Sequence, residues 1–328
     1  MSQLSYIYTL FISHLLGSLP FLILGILVSS GLLVFIDEHQ LADKLPRSRI
    51  LTVIIGSSFG LLLPLGQYGN IPVIRRLLLQ GVPIPLCISF LIASPTVNPF
   101  VIRNSWQLLG NHPRLLFLRI LGAWLIAIMI GLVFSAYSEK SVTLDEKTPI
   151  LRTRSTLVRS GTILPFLDNS QPLHRAGNLI YEYQGTMGVS LSLWQKLSLF
   201  FDNLIREFLE LGSILIIGAV ISTAFQAFLP QAQLMEWGQT PLTQIIIMVL
   251  FGFVISLNSL WSSYFVAPFL DSFLSGSSLV FLWFNSLFNV PSLALLLATM
   301  RLKIAVYLII LTAQLILFFG LVVNFYVS

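Results

Sequence analysis

Long apolar runs, separated by shorter polar stretches, make up most of this chain. Because an α-helix rises about 1.5 Å per residue, about 20 apolar residues are needed to cross a hydrocarbon core of about 30 Å. Two shorter apolar pieces, 70–80 and 264–275, are too short to cross in this way, and each stands just before the third long run of its half. The pattern predicts an all-α polytopic membrane protein in which half-helices or extended stretches accompany the spanning helices. The long runs lie at about 11–36, 50–65, 84–108, 115–136, 203–229, 242–260, 277–299 and 303–326.

The composition agrees with this class. Of the 328 residues, 56% are hydrophobic and 9% are charged, and the mean hydropathy is +0.89, whereas soluble domains carry about 25% charged residues. The single cysteine, Cys87, excludes a disulfide framework and any multi-cysteine metal site, and we expect it to be a small core residue. The first apolar run is too long for a cleaved signal peptide, so we expect it to stay as a spanning helix.

The two halves of the chain resemble each other in sequence. The segment Gly25-Ile-Leu-Val-Ser29 aligns without gaps on Gly218-Ala-Val-Ile-Ser222, and later matches follow in the same order. Many transporters are built from such duplications. We therefore predict a first membrane repeat over 1–136, a polar cytoplasmic linker over 137–200, and a second membrane repeat over 201–328.

The distribution of Lys and Arg bears on the orientation of the repeats, because short cytoplasmic loops are enriched in these residues. Basic residues concentrate in 37–49, in the central segment and in 301–303, whereas 66–70 and 230–241 contain none. If each short piece counts as a membrane passage, all basic loops fall on one side. Each half then has about five membrane elements, an odd number, which predicts inverted pseudo-symmetric repeats. The same loop pattern accounts for the net charge of +5 without a nucleic-acid partner.

Prolines, glycines and uncharged amides interrupt the apolar sequence in both halves, within 64–99 and 256–291. Lipid cannot satisfy the backbone groups that such breaks release, so the breaks must face protein or a water-filled cavity. Broken helices in corresponding places of two halves are typical of a transporter site. We therefore predict a substrate path lined by Gln67, Asn70, Ser94, Pro95, Thr96, Asn98, Pro99, Asn258, Ser262, Asn285 and Asn289.

For any single Ser or Asn, the alternative is a structural role, because these residues commonly join helices within membranes. The cluster from Ser94 to Pro99 favours the functional interpretation, since two prolines flanking an amide break a helix at membrane depth.

Three charges stand on the short pieces: Arg75 and Arg76 on the first and Asp271 on the second. A charge at membrane depth requires a partner, so we predict a pair between Asp271 and one of the two arginines. The alternative is that all three side chains extend to a membrane interface. We expect the remaining charges of this kind to lie at interfaces, namely Arg103, Arg119, Asp202, Arg206, Glu207 and Glu210.

No constellation for catalysis is visible. The four histidines are scattered, and the chain contains no HExxH pair, no GxSxG elbow and no Walker A loop. We expect a protein that is not an enzyme, without cofactor or metal.

The run Phe90-Leu-Ile-Ala-Ser94-Pro95-Thr-Val-Asn98-Pro99, preceded by Gly81-Val-Pro83 and a short helix, resembles the predicted permeases of the ArsP/YraQ type. The resemblance covers most of the chain and implies a two-repeat transport protein; some members of that family export trivalent organoarsenicals. Members often carry cysteines in the loop before the short helix, where this chain has Leu65-Gly-Gln67-Tyr-Gly-Asn70. The resemblance transfers Ser94, Pro95, Asn98 and Pro99 by identity, and the loop by position.

These observations predict a multi-pass permease of the inner cell membrane that moves a small solute between the broken helices of the two repeats; the sequence leaves the direction of transport open, with efflux as one alternative. The alternative is a membrane-embedded binding or assembly factor without transport activity. The expected partners are the small solute and the lipid bilayer; the sequence leaves a homo-oligomer open.

Overall fold

A computed structural model describes residues 3–36, 45–46, 48–136, 192–228, 238–270 and 272–326. The regular elements among these residues are helical, which confirms the all-α prediction. Short 3-10 turns at Phe59–Leu61 and Ala267–Phe269 accompany the helices. The helices are α1 (Gln3–Phe35), α2 (Arg49–Ser58), α3 (Gly66–Leu79), α4 (Ile84–Ala93), α5 (Pro99–Leu109), α6 (Pro113–Ser135), α7 (Leu193–Phe228), α8 (Pro241–Val254), α9 (Ser262–Val266), α10 (Ser275–Phe288), α11 (Val290–Thr299) and α12 (Leu302–Tyr326).

Within the described ranges, four helices are long and apolar enough to cross a membrane: α1, α6, α7 and α12. The pair α10 and α11, which bends by 42° at its break, would make a fifth span. Their outer faces are apolar, as at Ile217, which is 59% exposed, and such a face suits contact with lipid. The chain is therefore a multi-pass membrane protein. Most of the predicted linker lies outside the described residues, and α7 begins at Leu193, before the predicted boundary at 201.

The same packing occurs in each half. In the first half α2, α4 and α6 contact one another, and in the second half α8, α10 and α12 do so. Contacts between the halves run from α1 to α7, from α3 to α11, and from α6 to α10 and α12. This similarity of helix packing between the two halves agrees with a duplicated architecture. The inverted orientation of the repeats stays a prediction.

The aligned glycines of the two halves lie where the long first helix of each half crosses a shorter helix. Helix α1 crosses α3, and helix α7 crosses α11. A Cβ on Gly25 of α1 would lie 2.1 Å from the carbonyl oxygen of Gly69 in α3. A Cβ on Gly218 of α7 would lie 2.8 Å from the Cα of Pro291 in α11. Real Cβ contacts are not this short, so these two helix crossings need glycine.

Candidate functional site

The first helix break separates α4 from α5. Helix α4 ends at Ala93, and α5 begins at Pro99, whose missing N–H is no loss at the first helical position. Asn98 caps α5: its side-chain oxygen accepts a hydrogen bond of 2.9 Å from the backbone N–H of Phe100. The predicted break is thus present, and an asparagine side chain satisfies one of the backbone donors at the new helix start.

The second helix break, between α10 and α11, has the same chemistry in fewer residues. Asn289 alone separates the two helices, and its side-chain oxygen accepts a hydrogen bond of 3.0 Å from Ser292 N–H. Pro291 again stands in the first turn. The capping residues make Asn98 the structural counterpart of Asn289.

Three side-chain amides, from α3, from α10 and from the break between α10 and α11, converge on one backbone carbonyl, that of Leu257, just beyond α8. Gln67 Nε2 donates to it over 3.2 Å, Asn285 Nδ2 over 3.0 Å and Asn289 Nδ2 over 3.3 Å. Gln67 belongs to the first half and both asparagines belong to the second. The carbonyl is therefore one point at which polar groups of the two halves meet.

Tyr68 belongs to the same point, although the sequence analysis did not select it. Its ring is buried, and its hydroxyl accepts a hydrogen bond of 3.2 Å from Asn289 Nδ2. It stands inside the run Gln67-Tyr-Gly-Asn70, so its position next to two selected amides was the available signal.

A small enclosed cavity of about 20 Å³ lies between the halves beside this point. Gln67, Asn70 and Pro95 line it from the first half, and Ser286 and Ser292 line it from the second. A volume of this size holds about one water molecule. Elements that are far apart in the sequence thus surround this cavity, called the chamber below, whose wall places four polar side chains among eight apolar ones.

The other predicted path residues do not line this cavity and make separate contacts. Ser94 and Thr96 are buried within the first break, and Pro99 is exposed at the start of α5. Asn258 donates a hydrogen bond of 2.7 Å to the carbonyl of Gly17 in α1. Ser262 accepts one of 3.0 Å from Arg119.

Arg119 does not lie at an interface, so that expectation was wrong. Its side chain is completely buried in the spanning helix α6. The guanidinium donates to the hydroxyl of Ser105 over 2.6 Å, to the hydroxyl of Ser262 over 3.0 Å, to the carbonyl of Ser259 over 3.1 Å, and also to the hydroxyl of Ser263. No carboxylate contacts it among the residues that the structure describes. Neutral oxygens from α5, from α9 and from the turn before α9 therefore solvate this charge, and the cluster joins the two halves.

Arg75 and Arg76 are also buried, and both face α7. Arg75 forms a salt bridge of 3.0 Å with Glu210, and Arg76 donates a hydrogen bond of 3.1 Å to the side chain of Asn203. Asp271 lies outside the described residues, so its pairing with either arginine stays a prediction.

The interface prediction was also wrong for Glu207, which is only 6% exposed. Its carboxylate accepts hydrogen bonds from the Ser29 hydroxyl over 2.9 Å and from the Asn203 amide over 3.3 Å. The described residues contain no group of three or more His, Cys, Asp or Glu side chains placed to hold a metal ion.

Comparisons with known proteins assign this chain to a family. The chain is 29% identical to the "UPF0718 protein YcgR" of Bacillus subtilis over 302 residues, which cover 92% of this chain and 91% of that protein. It is 23% identical over 315 residues to a Streptococcus mutans protein named "Putative two-component membrane permease complex subunit", covering 96% and 94% of the two chains. No solved structure matches the chain. The family model ArsP_1, described as "Predicted permease", matches residues 3–325, and the chain therefore belongs to this predicted permease family.

Proposed function

We propose that the chain is a permease of the inner cell membrane that exports a small solute between its two broken elements. The observation that carries the proposal is the convergence of Gln67, Asn285 and Asn289 on the Leu257 carbonyl. Irregular backbone and amide side chains persist at membrane depth where they line a cavity or a path. Here they do so where the two halves meet, which is where alternating access opens and closes a transporter.

The proposed mechanism is a rocking motion of the two halves around this point. Movement of one half relative to the other would break the amide contacts to Leu257 and open the chamber to one side. Bound solute would replace the lost hydrogen bonds. No step of this cycle involves a reacting bond, so we propose a transporter that is not an enzyme and uses no cofactor.

A second candidate function is a membrane-embedded binding or assembly factor. One observation favours it: the Streptococcus mutans relative is named as a subunit of a complex. In that case the polar groove would hold a partner helix or a lipid and would not open to both sides of the membrane.

A deletion strain tests transport. We expect one class among metalloids, organoarsenicals, sulfur compounds and small anions to inhibit the strain and to accumulate in it. The intact gene and a Gln80→Met variant should restore resistance, whereas Asn289→Ala and Asn98→Ala should not. Gln80 is the matched control because its buried amide also donates to a backbone carbonyl, that of Leu32, away from both breaks.

The screen contradicts the proposal if no compound class distinguishes the deletion strain while its membrane complexes dissociate. That result would favour the assembly factor.

A further inference from the structure

The chamber between the halves has a definite hydrogen-bonding character, set by Gln67 and Asn70. Both side chains are at least 98% buried and both line the cavity. Gln67 Oε1 and Asn70 Oδ1 have no hydrogen-bond partner among the described residues. A buried amide oxygen without a donor costs free energy, so two of them in one small chamber favour the binding of a group that donates hydrogen bonds.

The orientation of both amides is fixed by their neighbours. Asn70 Nδ2 donates to the carbonyl of Leu91 over 3.1 Å, and Gln67 Nε2 donates to the carbonyl of Leu257 over 3.2 Å. A carbonyl can only accept, so a rotated amide would set oxygen against oxygen. The unsatisfied atom is therefore an acceptor in each case.

The remaining polar groups of the wall do not supply donors. The Ser286 hydroxyl donates to the carbonyl of Leu282 over 2.6 Å, and the Ser292 hydroxyl donates to the carbonyl of Leu287 over 2.9 Å. No charged residue lines the cavity. Asn70 Oδ1 is therefore left without a donor from the wall.

Next to the chamber, one further acceptor lacks a donor: Asn285 Oδ1 is also buried without a hydrogen-bond partner among the described residues. Asn285 Nδ2 is held by the Leu257 carbonyl, so its free atom is again an oxygen. An anion entering here would meet acceptors, whereas a hydroxyl, amide or ammonium group would meet the partners that it needs.

We propose that the chamber binds a hydrogen-bond donor of the transported solute, a hydroxyl, amide N–H or ammonium group, and that this solute is neutral or cationic. The inference rests on the proposed transport function. With a volume of about 20 Å³, the closed chamber holds one group of about the size of water. The rest of a larger solute enters when the halves separate.

Thermal unfolding of the purified protein in detergent tests the inference with matched probes. Acetamide and acetate have nearly the same shape, but only acetamide has N–H donors. We expect acetamide and methylammonium chloride to raise the unfolding midpoint by about 2 °C at saturation. Sodium acetate, sodium nitrate and sodium chloride should leave the midpoint unchanged.

Variants of the chamber residues test whether the rise in the unfolding midpoint comes from binding in the chamber. Asn70→Leu and Gln67→Met remove the acceptors at nearly constant volume and should abolish the acetamide shift, whereas Gln80→Met should retain it. Gln80 also has a buried Oε1 without a hydrogen-bond partner among the described residues, but it does not line the chamber. If neither site variant folds, the comparison of acetamide with acetate on the unaltered protein still tests whether a hydrogen-bond donor stabilises the protein and an anion does not.

Stabilisation by acetate or nitrate would overturn the inference, and so would an equal acetamide shift in Asn70→Leu. If sodium ions alone raise the unfolding midpoint and Asn70→Leu abolishes that rise, the chamber binds a bare cation and the inference of a solute group is wrong. If the deletion strain reveals a transported compound and acetamide has no effect, the donor inference fails and the transport function stands. If access proves one-sided, the transport function itself fails.

Discussion

Gly25→Ala is expected to lower the free energy of unfolding by about 3 kcal/mol, at the upper end of the range for overpacked sites. The new Cβ would lie 2.1 Å from the carbonyl oxygen of Gly69, and the neighbouring atoms are backbone, so α1 and α3 must move apart. The measurement is the thermal unfolding of purified protein together with the yield of folded protein.

Gly17→Ala and Gly31→Ala are the matched controls, because they lie on the same helix with no atom within 4 Å of the added Cβ. Alanine has the higher helix propensity, so both controls should be neutral or slightly stabilising. Equal losses at all three positions would mean that the α1–α3 crossing does not require glycine.

Arg119→Ala is expected to cost about 3 kcal/mol, because it leaves a cavity and several buried oxygens without their donor. The change removes four hydrogen bonds that join α6 to α5 and α9. Arg119→Lys should recover little, because a lysine is a point charge with three donors and cannot reproduce the planar fork of a guanidinium. Thermal unfolding of the purified variants measures both effects.

Arg103→Ala is the control for this pair, since Arg103 is exposed on α5 and exposed changes usually stay within about 0.5 kcal/mol. A loss at Arg103 equal to the loss at Arg119 would show that the buried network contributes nothing special to stability.

The sequence predicted the helix breaks because their chemistry is local. Asn98 with Pro99, and Asn289 with Pro291, carry a cap and a proline within the same few residues. The membrane class followed from the apolar runs for the same reason. Local patterns of this kind do not depend on which elements pack together.

The contacts of the candidate site could not be predicted in the same way, because they join distant segments. Arg119 was expected at an interface because the sequence does not show its oxygen ligands. Two of them, at Ser259 and Ser262, come from the other half of the chain. Arg75 meets Glu210, which is 135 positions away. The acceptor at Leu257 is a backbone carbonyl, and a side-chain pattern carries no information about it.

Accessibility of the chamber from both sides of the membrane is the most direct test of the central claim. Single cysteines would be introduced at Ser94, next to chamber-lining Pro95, and at Ser286 in the wall of the chamber, in a Cys87→Ser background. Ser94 Oγ has no described partner, so the exchange is nearly isosteric and breaks no observed contact. Ala127→Cys is the control, because Ala127 is completely buried in α6.

The measurement is labelling by a membrane-impermeant thiol reagent applied to right-side-out and to inverted vesicles. We expect Ser94→Cys and Ser286→Cys to react from both faces and Ala127→Cys to react from neither, because alternating access exposes the chamber to each side in turn. Reaction from one face only, or from neither face, would contradict a transport path between the two halves.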